Sequence, residues 1–210
     1  MLRVLITDDH ALIRRGLRQV LEEGLGGVLV GEAKDAREAL EQIIKHEWSV
    51  VVMDITMPGR SGLDILRDIK LARPHLPVLI LSMHPEEQFA VRVLKSGAAG
   101  FIPKESAPEE LIKAIKKVVA GGRYVTAAFA EKMAFDLSAQ GEKPPHELLS
   151  DREFQVLRMI ASGKAVGQVV EELSLSVKTI STYRARILEK MRMQNNAELT
   201  HYAIKHQLVD

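Results

Sequence analysis

The sequence predicts an α/β domain built on a five-stranded parallel sheet with helices on both faces, followed by a small all-α domain of four helices. Three observations carry this. Between residues 2 and 120, five short runs rich in Val, Ile and Leu alternate with five longer amphipathic runs. The short runs show little polar alternation, as expected of parallel strands buried on both faces, and parallel strands need a helical crossover between them. From about residue 148 no strand-like run remains, and four short helical patterns close the chain.

The strand-like runs are "RVLIT", "VLVGEA", "VVVMD", "VLILS" and "GFIPK". After the first, "ALIRRGLRQVLEE" sets Leu12, Ile13, Leu17, Val20 and Leu21 on one helical face. "AREALEQIIKH", "GLDILRDIKLA", "EEQFAVRVLKS" and "PEELIKAIKKVVA" repeat the pattern after the other strands, with Pro85 suited to the first turn of the fourth helix. Residues 1–121 therefore form the first domain. Residues 122–147 read as a linker, partly helical after Thr126, because "SAQGEKPPHE" loses the hydrophobic period and gains Gly and two prolines. Residues 148–210 form the second domain, with helices over 151–161, 166–173, 177–191 and 196–206. Ser150 and Glu153 have capping-box spacing, and Ser176 and Asn195 or Asn196 suit the starts of the last two helices.

Composition excludes several classes. Of 210 residues, 46% are apolar and 27% charged, a balance typical of soluble globular proteins. No run approaches the ~18 apolar residues that suggest a bilayer span, and "MLRVLITDDH" reaches two aspartates too soon for a secretory signal. With no cysteine, disulfide frameworks and thiolate metal sites are excluded, and a cytoplasmic location with no membrane partner is expected. A net charge of +1 gives no global pull toward nucleic acid, so charge has to be read by segment.

In an open parallel sheet, sites lie beyond the carboxyl ends of the strands. The first strand offers Asp8 and Asp9 there, the third Asp54, the fourth Ser82 and the fifth Lys104. Asp54 ends a buried apolar run, which helix capping does not explain, whereas Asp8 alone could cap the next helix. Three neighbouring carboxylates repel and call for a hard cation with oxygen ligands, such as Mg²⁺. A cation, a lysine and a hydroxyl together suit a transferring phosphoryl group, and a carboxylate can be its nucleophile.

The motifs "DDH", "MDITMPGRSG", "LSMH" and "FIPK", with "GAAGF" before the lysine, stand in order at the strand tips. With them, residues 1–121 resemble the receiver domain of bacterial two-component response regulators. The resemblance implies a flavodoxin-like, doubly wound sheet and phosphorylation of Asp54 by a sensor histidine kinase. It implies Mg²⁺ bound by Asp9, Asp54 and the main-chain carbonyl of Thr56, with Asp8 helping through water. It further implies that Lys104 pairs with the phosphoryl, Ser82 hydrogen-bonds it, Phe101 is the switch aromatic, and Pro58 and Gly62 shape the loop. Thr56 and His84 each lie two residues beyond Asp54 and Ser82, flanking the path of an attacking water. Two rivals fit less well. A haloacid-dehalogenase-like phosphatase wants an acid where Thr56 stands. A flavodoxin-like cofactor binder wants an anion-binding loop where the sequence has "TDDH".

Residues 146–210 hold nine Lys/Arg against eight Asp/Glu, but "SVKTISTYRARILEKMR" concentrates the basic ones. Ile180, Tyr183, Ile187 and Met191 form its inward stripe. Lys178, Ser181, Thr182, Ala185 and Arg186 lie opposite, a small polar face with a basic edge suited to a major groove, and Tyr183 and Lys190 can reach phosphates. The stretch from "LSDREFQVL" through "ARILEKM" resembles the LuxR-type helix-turn-helix that follows receivers in the NarL/FixJ group, with the tail "ELTHYAIKHQLV" similar to the GacA- and BvgA-type branch. The resemblance implies promoter DNA as partner and a homodimer formed on phosphorylation. It implies a regulator rather than an enzyme, beyond its own phosphorylation and dephosphorylation. One departure is "AVGQV", 165–169, where the family carries polar and basic phosphate contacts. Lys164 is then a partial substitute, and a phospho-switched protein-contact module with a degenerate helix-turn-helix is the alternative.

Overall fold

The structure, a computed structural model, describes residues 1–57, 62–83, 86–138 and 144–209, with the side chains of 87, 88, 132 and 135–138 excepted. The expectations placed on Pro58, His84 and Pro85, and the linker stretch 139–143, lie outside these residues. The chain divides into two units, Met1–Ala139 and Gln140–Asp210.

The first unit alternates five strands with five helices: β1 (Arg3–Thr7), α1 (Ala11–Leu25), β2 (Leu29–Ala33), α2 (Ala36–Lys45), β3 (Val50–Asp54), α3 (Gly62–Ala72), β4 (Val78–Ser82), α4 (Glu86–Lys95), β5 (Gly100–Pro103) and α5 (Pro108–Val119). All pairings are parallel, in the order β2-β1-β3-β4-β5. The chain reverses its winding after β1, and the tips of β1 and β3 meet at that reversal, which is where doubly wound sheets bind ligands. Central strands are buried on both faces. Val4, Ile6, Val50, Val52, Leu79 and Leu81 pack under Leu21 of α1 and Leu111, Ile115 and Val118 of α5. Leu5, Val51, Met53 and Ile80 point to the other face and are equally buried. The α1 stripe is shorter than its sequence suggests. Leu17 and Val20 pack on the core, but Leu12 is 80% exposed, because the first turn of α1 lies out at the strand tips.

Residues 122–138, read from the sequence as linker, belong to the first unit instead. Tyr124 bridges Gly100 and is buried, and the Phe101 N–H donates to its carbonyl at 3.0 Å. Gly100 permits this, since a Cβ there would sit 2.5 Å from the Tyr124 carbonyl. Helix α6 (Ala127–Ser138) follows Thr126, whose hydroxyl accepts from Phe129 N–H. Thr126 donates through both N–H and hydroxyl to the buried Glu86 carboxylate at the start of α4.

The second unit has a 3-10 turn (Pro145–Leu148) and four helices: α7 (Asp151–Ala161), α8 (Val166–Leu173), α9 (Val177–Met191) and α10 (Asn196–Lys205). Ser150 and Glu153 close a reciprocal capping box, and Ser176 and Asn195 cap α9 and α10 by accepting from Thr179 and Glu198 N–H. Phe154, Leu157, Val169, Leu173, Ile180, Ile187, Met191 and Leu199 fill the core. Ser174 and Arg192 end α8 and α9 in the left-handed region, which closes those last turns. Among the described residues no helix is long and apolar enough to cross a membrane.

Candidate functional site

The tips of β1, β3 and β5 bring together side chains that are far apart in sequence. Asp8 follows β1, Asp54 ends β3, and Lys104 follows β5. Lys104 Nζ donates to Asp8 Oδ2 at 2.6 Å and to Asp54 Oδ2 at 2.8 Å. All three groups are buried, the side chains being 8%, 1% and 2% exposed. Asp54 Oδ1 accepts the Thr56 N–H at 2.9 Å. Burial pushes the Asp54 carboxyl above its usual range, against the lowering effect of the Lys104 and Thr56 bonds. Burial alone would pull the Lys104 ammonium down, but its bonds to Asp54 and Asp8 outweigh that and hold it above its usual range.

Asp8 does not cap α1. The residue before the helix is His10, which makes no side-chain cap. Asp8 Oδ1 instead accepts the His10 N–H at 2.8 Å. Asp9 lies beside them with Oδ1 buried and lacking a hydrogen-bond donor, 3.0 Å from His10 Nδ1. Ligand atoms of Asp8, Asp9, His10 and Asp54 lie within 4.8 Å of one another. Three carboxylates around one ammonium leave uncompensated negative charge, and an orphaned carboxylate oxygen faces it. A hard divalent cation fits this donor set.

Ser82, at the end of β4, is buried, and its carbonyl accepts the Lys104 N–H at 2.7 Å. Phe101 on β5 is wholly buried. Thr56 is exposed beyond Asp54. Gly62 closes the loop after β3: its N–H donates to the Ile55 carbonyl at 3.2 Å, and a Cβ would lie 2.5 Å from Ile55 Cα. Only a residue without a Cβ permits that approach.

Reading strand tips in the sequence overlooked β2. Glu32 there accepts from Arg14 Nε at 3.1 Å and from Arg18 Nε and Nη2 at 2.8 and 2.7 Å. Burial would raise the Glu32 carboxyl, but these two guanidiniums hold it below its usual range. Applying the same strand-tip rule to β2 would have found it.

In the second unit, Lys178, Ser181, Thr182 and Arg186 form one exposed face of α9, and Tyr183 is half-buried beside it. The Thr182 hydroxyl donates to the Lys178 carbonyl at 2.9 Å. Lys190, expected from the sequence to reach a phosphate, is 40% exposed and has a protein partner. Its Nζ donates to Glu153 Oε2 at 2.6 Å, so it neutralises the buried carboxylate that caps α7. Burial alone would raise the Glu153 carboxyl, but bonds from Lys190 and Ser150 hold it below its usual range. Lys164 is likewise paired, with Glu172.

Comparison with known proteins agrees with this geometry. The family model "Response regulator receiver domain" matches residues 4–116. The chain is a response regulator. A second family model, "Bacterial regulatory proteins, luxR family", matches residues 147–203 of the regulator. The response regulator UvrY of Escherichia coli is 37% identical over 99% of this chain and 96% of its own length. The response regulator GacA of Pseudomonas protegens is 36% identical over 100% of this chain and 99% of its own. Among solved structures, RcsB from Salmonella enterica serovar Typhimurium, bound to promoter rprA in the presence of the phosphomimetic BeF3-, has a TM-score of 0.66 at 29% identity. That match covers 96% of the regulator and 98% of the RcsB chain. The regulator thus joins a receiver domain to a LuxR-type DNA-binding domain in the NarL/FixJ family, and the likeness to the GacA branch holds.

Proposed function

We propose that the regulator is a phosphorylation-switched transcription factor of the cytoplasm, with Asp54 as phosphoryl acceptor. The observation that carries this reading is the buried Lys104 ammonium bridging Asp8 and Asp54 at the strand tips. A carboxylate oxygen of Asp54 attacks the phosphorus of a phosphohistidine on a sensor kinase. The new O–P bond forms as the N–P bond breaks, and the bonding pair returns to the imidazole. Lys104 balances charge on the transferred group, and the Ser82 hydroxyl donates to it. Asp9 and Asp54, the Thr56 carbonyl and, through water, Asp8 would hold Mg²⁺, which supplies positive charge against the phosphoryl oxygens.

Phosphorylation then biases a two-state receiver. Ser82 moves toward the phosphoryl and Phe101 follows into the vacated space. Moving such an equilibrium from 1:99 to 99:1 requires about 5.5 kcal/mol of differential interaction, which new charge-assisted bonds can supply. The affected face includes the β5 seam, because Phe101 N–H is bonded to Tyr124 and Glu86 holds Thr126 at the start of α6. The outcome is a homodimer whose two α9 helices read half-sites about 34–36 Å apart in promoter DNA. Lys178, Ser181, Thr182 and Arg186 face the bases and Tyr183 a phosphate. The sequence also assigned Lys190 to a phosphate, but its pairing with Glu153 favours a structural role.

Thin anchoring favours the protein-contact alternative: α8 begins with Val166 and Gly167, and Lys164 is paired with Glu172. Selection of genomic DNA with and without a small phosphodonor decides between the two. A transcription factor gains affinity for a shared two-half-site sequence on phosphorylation, and Lys178→Ala or Thr182→Ala relaxes that preference by about 1–3 kcal/mol per base contact. Absence of sequence preference by the phosphorylated protein at low salt rejects the DNA reading in favour of protein contact.

A further inference from the structure

We infer that Arg14 is a positioning residue for the acidic loop, held in place by Glu32. This rests on the reading of Asp8, Asp9 and Asp54 as the magnesium and phosphoryl site. The loop is only three residues long, from the end of β1 at Thr7 to the start of α1 at Ala11. It carries two adjacent carboxylates, and α1 offers no side-chain cap to fix it. Asp8 N–H is tied to the Ala33 carbonyl at 3.2 Å. Arg14 Nη1 reaches back from the start of α1 and donates to the Asp8 carbonyl at 2.8 Å.

That bond sets the orientation of the peptide plane leading into Asp9. Asp9 needs such help, because its buried Oδ1 accepts no hydrogen bond and the side chain nearest it, the His10 ring at 3.0 Å, is itself 66% exposed. Arg14 is itself oriented from the neighbouring strand. Its Nε bonds Glu32 Oε2 at 3.1 Å, and its side chain is 15% exposed. Arg18 takes the other Glu32 oxygen, so the carboxylate that aims Arg14 is fixed in turn. One planar guanidinium therefore joins the tips of β1 and β2, a geometry a lysine ammonium does not reproduce. Partners that orient metal ligands in this way typically contribute about 10–100-fold to metal affinity.

Positioning and simple charge predict opposite signs. Arg14→Ala removes a positive charge next to a cation site, so Coulomb's law alone predicts tighter cation binding. Loss of positioning predicts weaker binding. The experiment is calorimetric titration of Mg²⁺ into the full-length protein and its Arg14→Ala, Arg14→Lys, Glu32→Gln and Asp9→Ala variants, with folding checked by circular dichroism. Arg14→Ala and Arg14→Lys are each expected to weaken Mg²⁺ binding about 10-fold. Should Arg14→Ala not fold, Arg14→Lys carries the test alone: it keeps the charge, so unchanged affinity overturns the positioning role and weakened affinity supports it. Glu32→Gln is expected to weaken binding in the same direction. Wild-type affinity, or tighter, in a folded Arg14→Ala overturns the inference. Wild-type protein that takes up no Mg²⁺, or an Asp9→Ala variant that binds as wild type does, overturns the magnesium reading and the positioning role with it.

Discussion

Replacing Lys190 with alanine separates a structural ion pair from a DNA contact. The substitution strands the Glu153 carboxylate, whose side chain is 3% exposed, while Lys190 itself is 40% exposed. Removing one partner of a fully buried pair costs about 3–5 kcal/mol, and an exposed pair contributes at most about 1 kcal/mol. Lys190 lies between these limits, and Glu153 keeps the Ser150 N–H at 2.7 Å. The expected loss is therefore about 1–2 kcal/mol, or about 5–15 °C in the melting temperature of so small a domain. The chain has one tryptophan, Trp48, and it lies in the first unit. Tryptophan fluorescence thus follows receiver unfolding, while far-ultraviolet dichroism follows both units. The dichroism transition of the second unit should fall and the fluorescence transition should stay. Acid supplies a second check. Glu153 is held below the usual glutamate value, so the pair stabilises fully above about pH 4.3 and loses its contribution as pH falls through the folded value. The difference between wild type and Lys190→Ala should therefore shrink below that pH. An unchanged second transition, together with a salt slope of DNA binding reduced by about 1, would return Lys190 to the phosphate-contact role and refute the ion-pair reasoning.

Other substitutions test the loop, the lifetime and the weak helix. Gly62→Ala forces a Cβ against Ile55 backbone, so it should destabilise the receiver by about 1–3 kcal/mol in urea unfolding and slow phosphorylation; unaltered values of both count against the close approach. Thr56→Ala should change the rate of phosphoryl loss more than it changes stability, because Thr56 is exposed beside the buried Asp54, and equal decay of the two proteins removes it from the water path. Gly167→Ala should stabilise the second unit by roughly 0.5–1 kcal/mol, since nothing lies within 4 Å of the added methyl and its backbone is helical; a lowered melting temperature contradicts that.

The strands and helices were legible because buried parallel strands leave uninterrupted Val/Ile/Leu runs and because polar residues mark helix starts. "VVVMD" and "VLILS" became β3 and β4 with the expected ends, and Ser150, Ser176 and Asn195 cap as their spacing implied. Convergence of Asp8, Asp54 and Lys104 followed from strand-tip logic once the sheet was assumed. What remained hidden depends on partners distant in sequence. Tyr124 joins the receiver through backbone bonds to β5, which leave no periodic trace in residues 122–126. Lys190 and Glu153 are 37 residues apart, so nothing local marks the lysine as paired. Arg14 looks like one more basic position on an amphipathic helix until β2 brings Glu32 beside it.

The most direct measurement is the intact mass of the full-length protein after incubation with Mg²⁺ and a small phosphodonor, for wild type and Asp54→Asn. With Asp54 as acceptor, wild type gains one phosphoryl group that is lost on acid treatment, and Asp54→Asn gains none. Undiminished labelling of Asp54→Asn would contradict the assignment of Asp54 and, with it, the switch built on that residue.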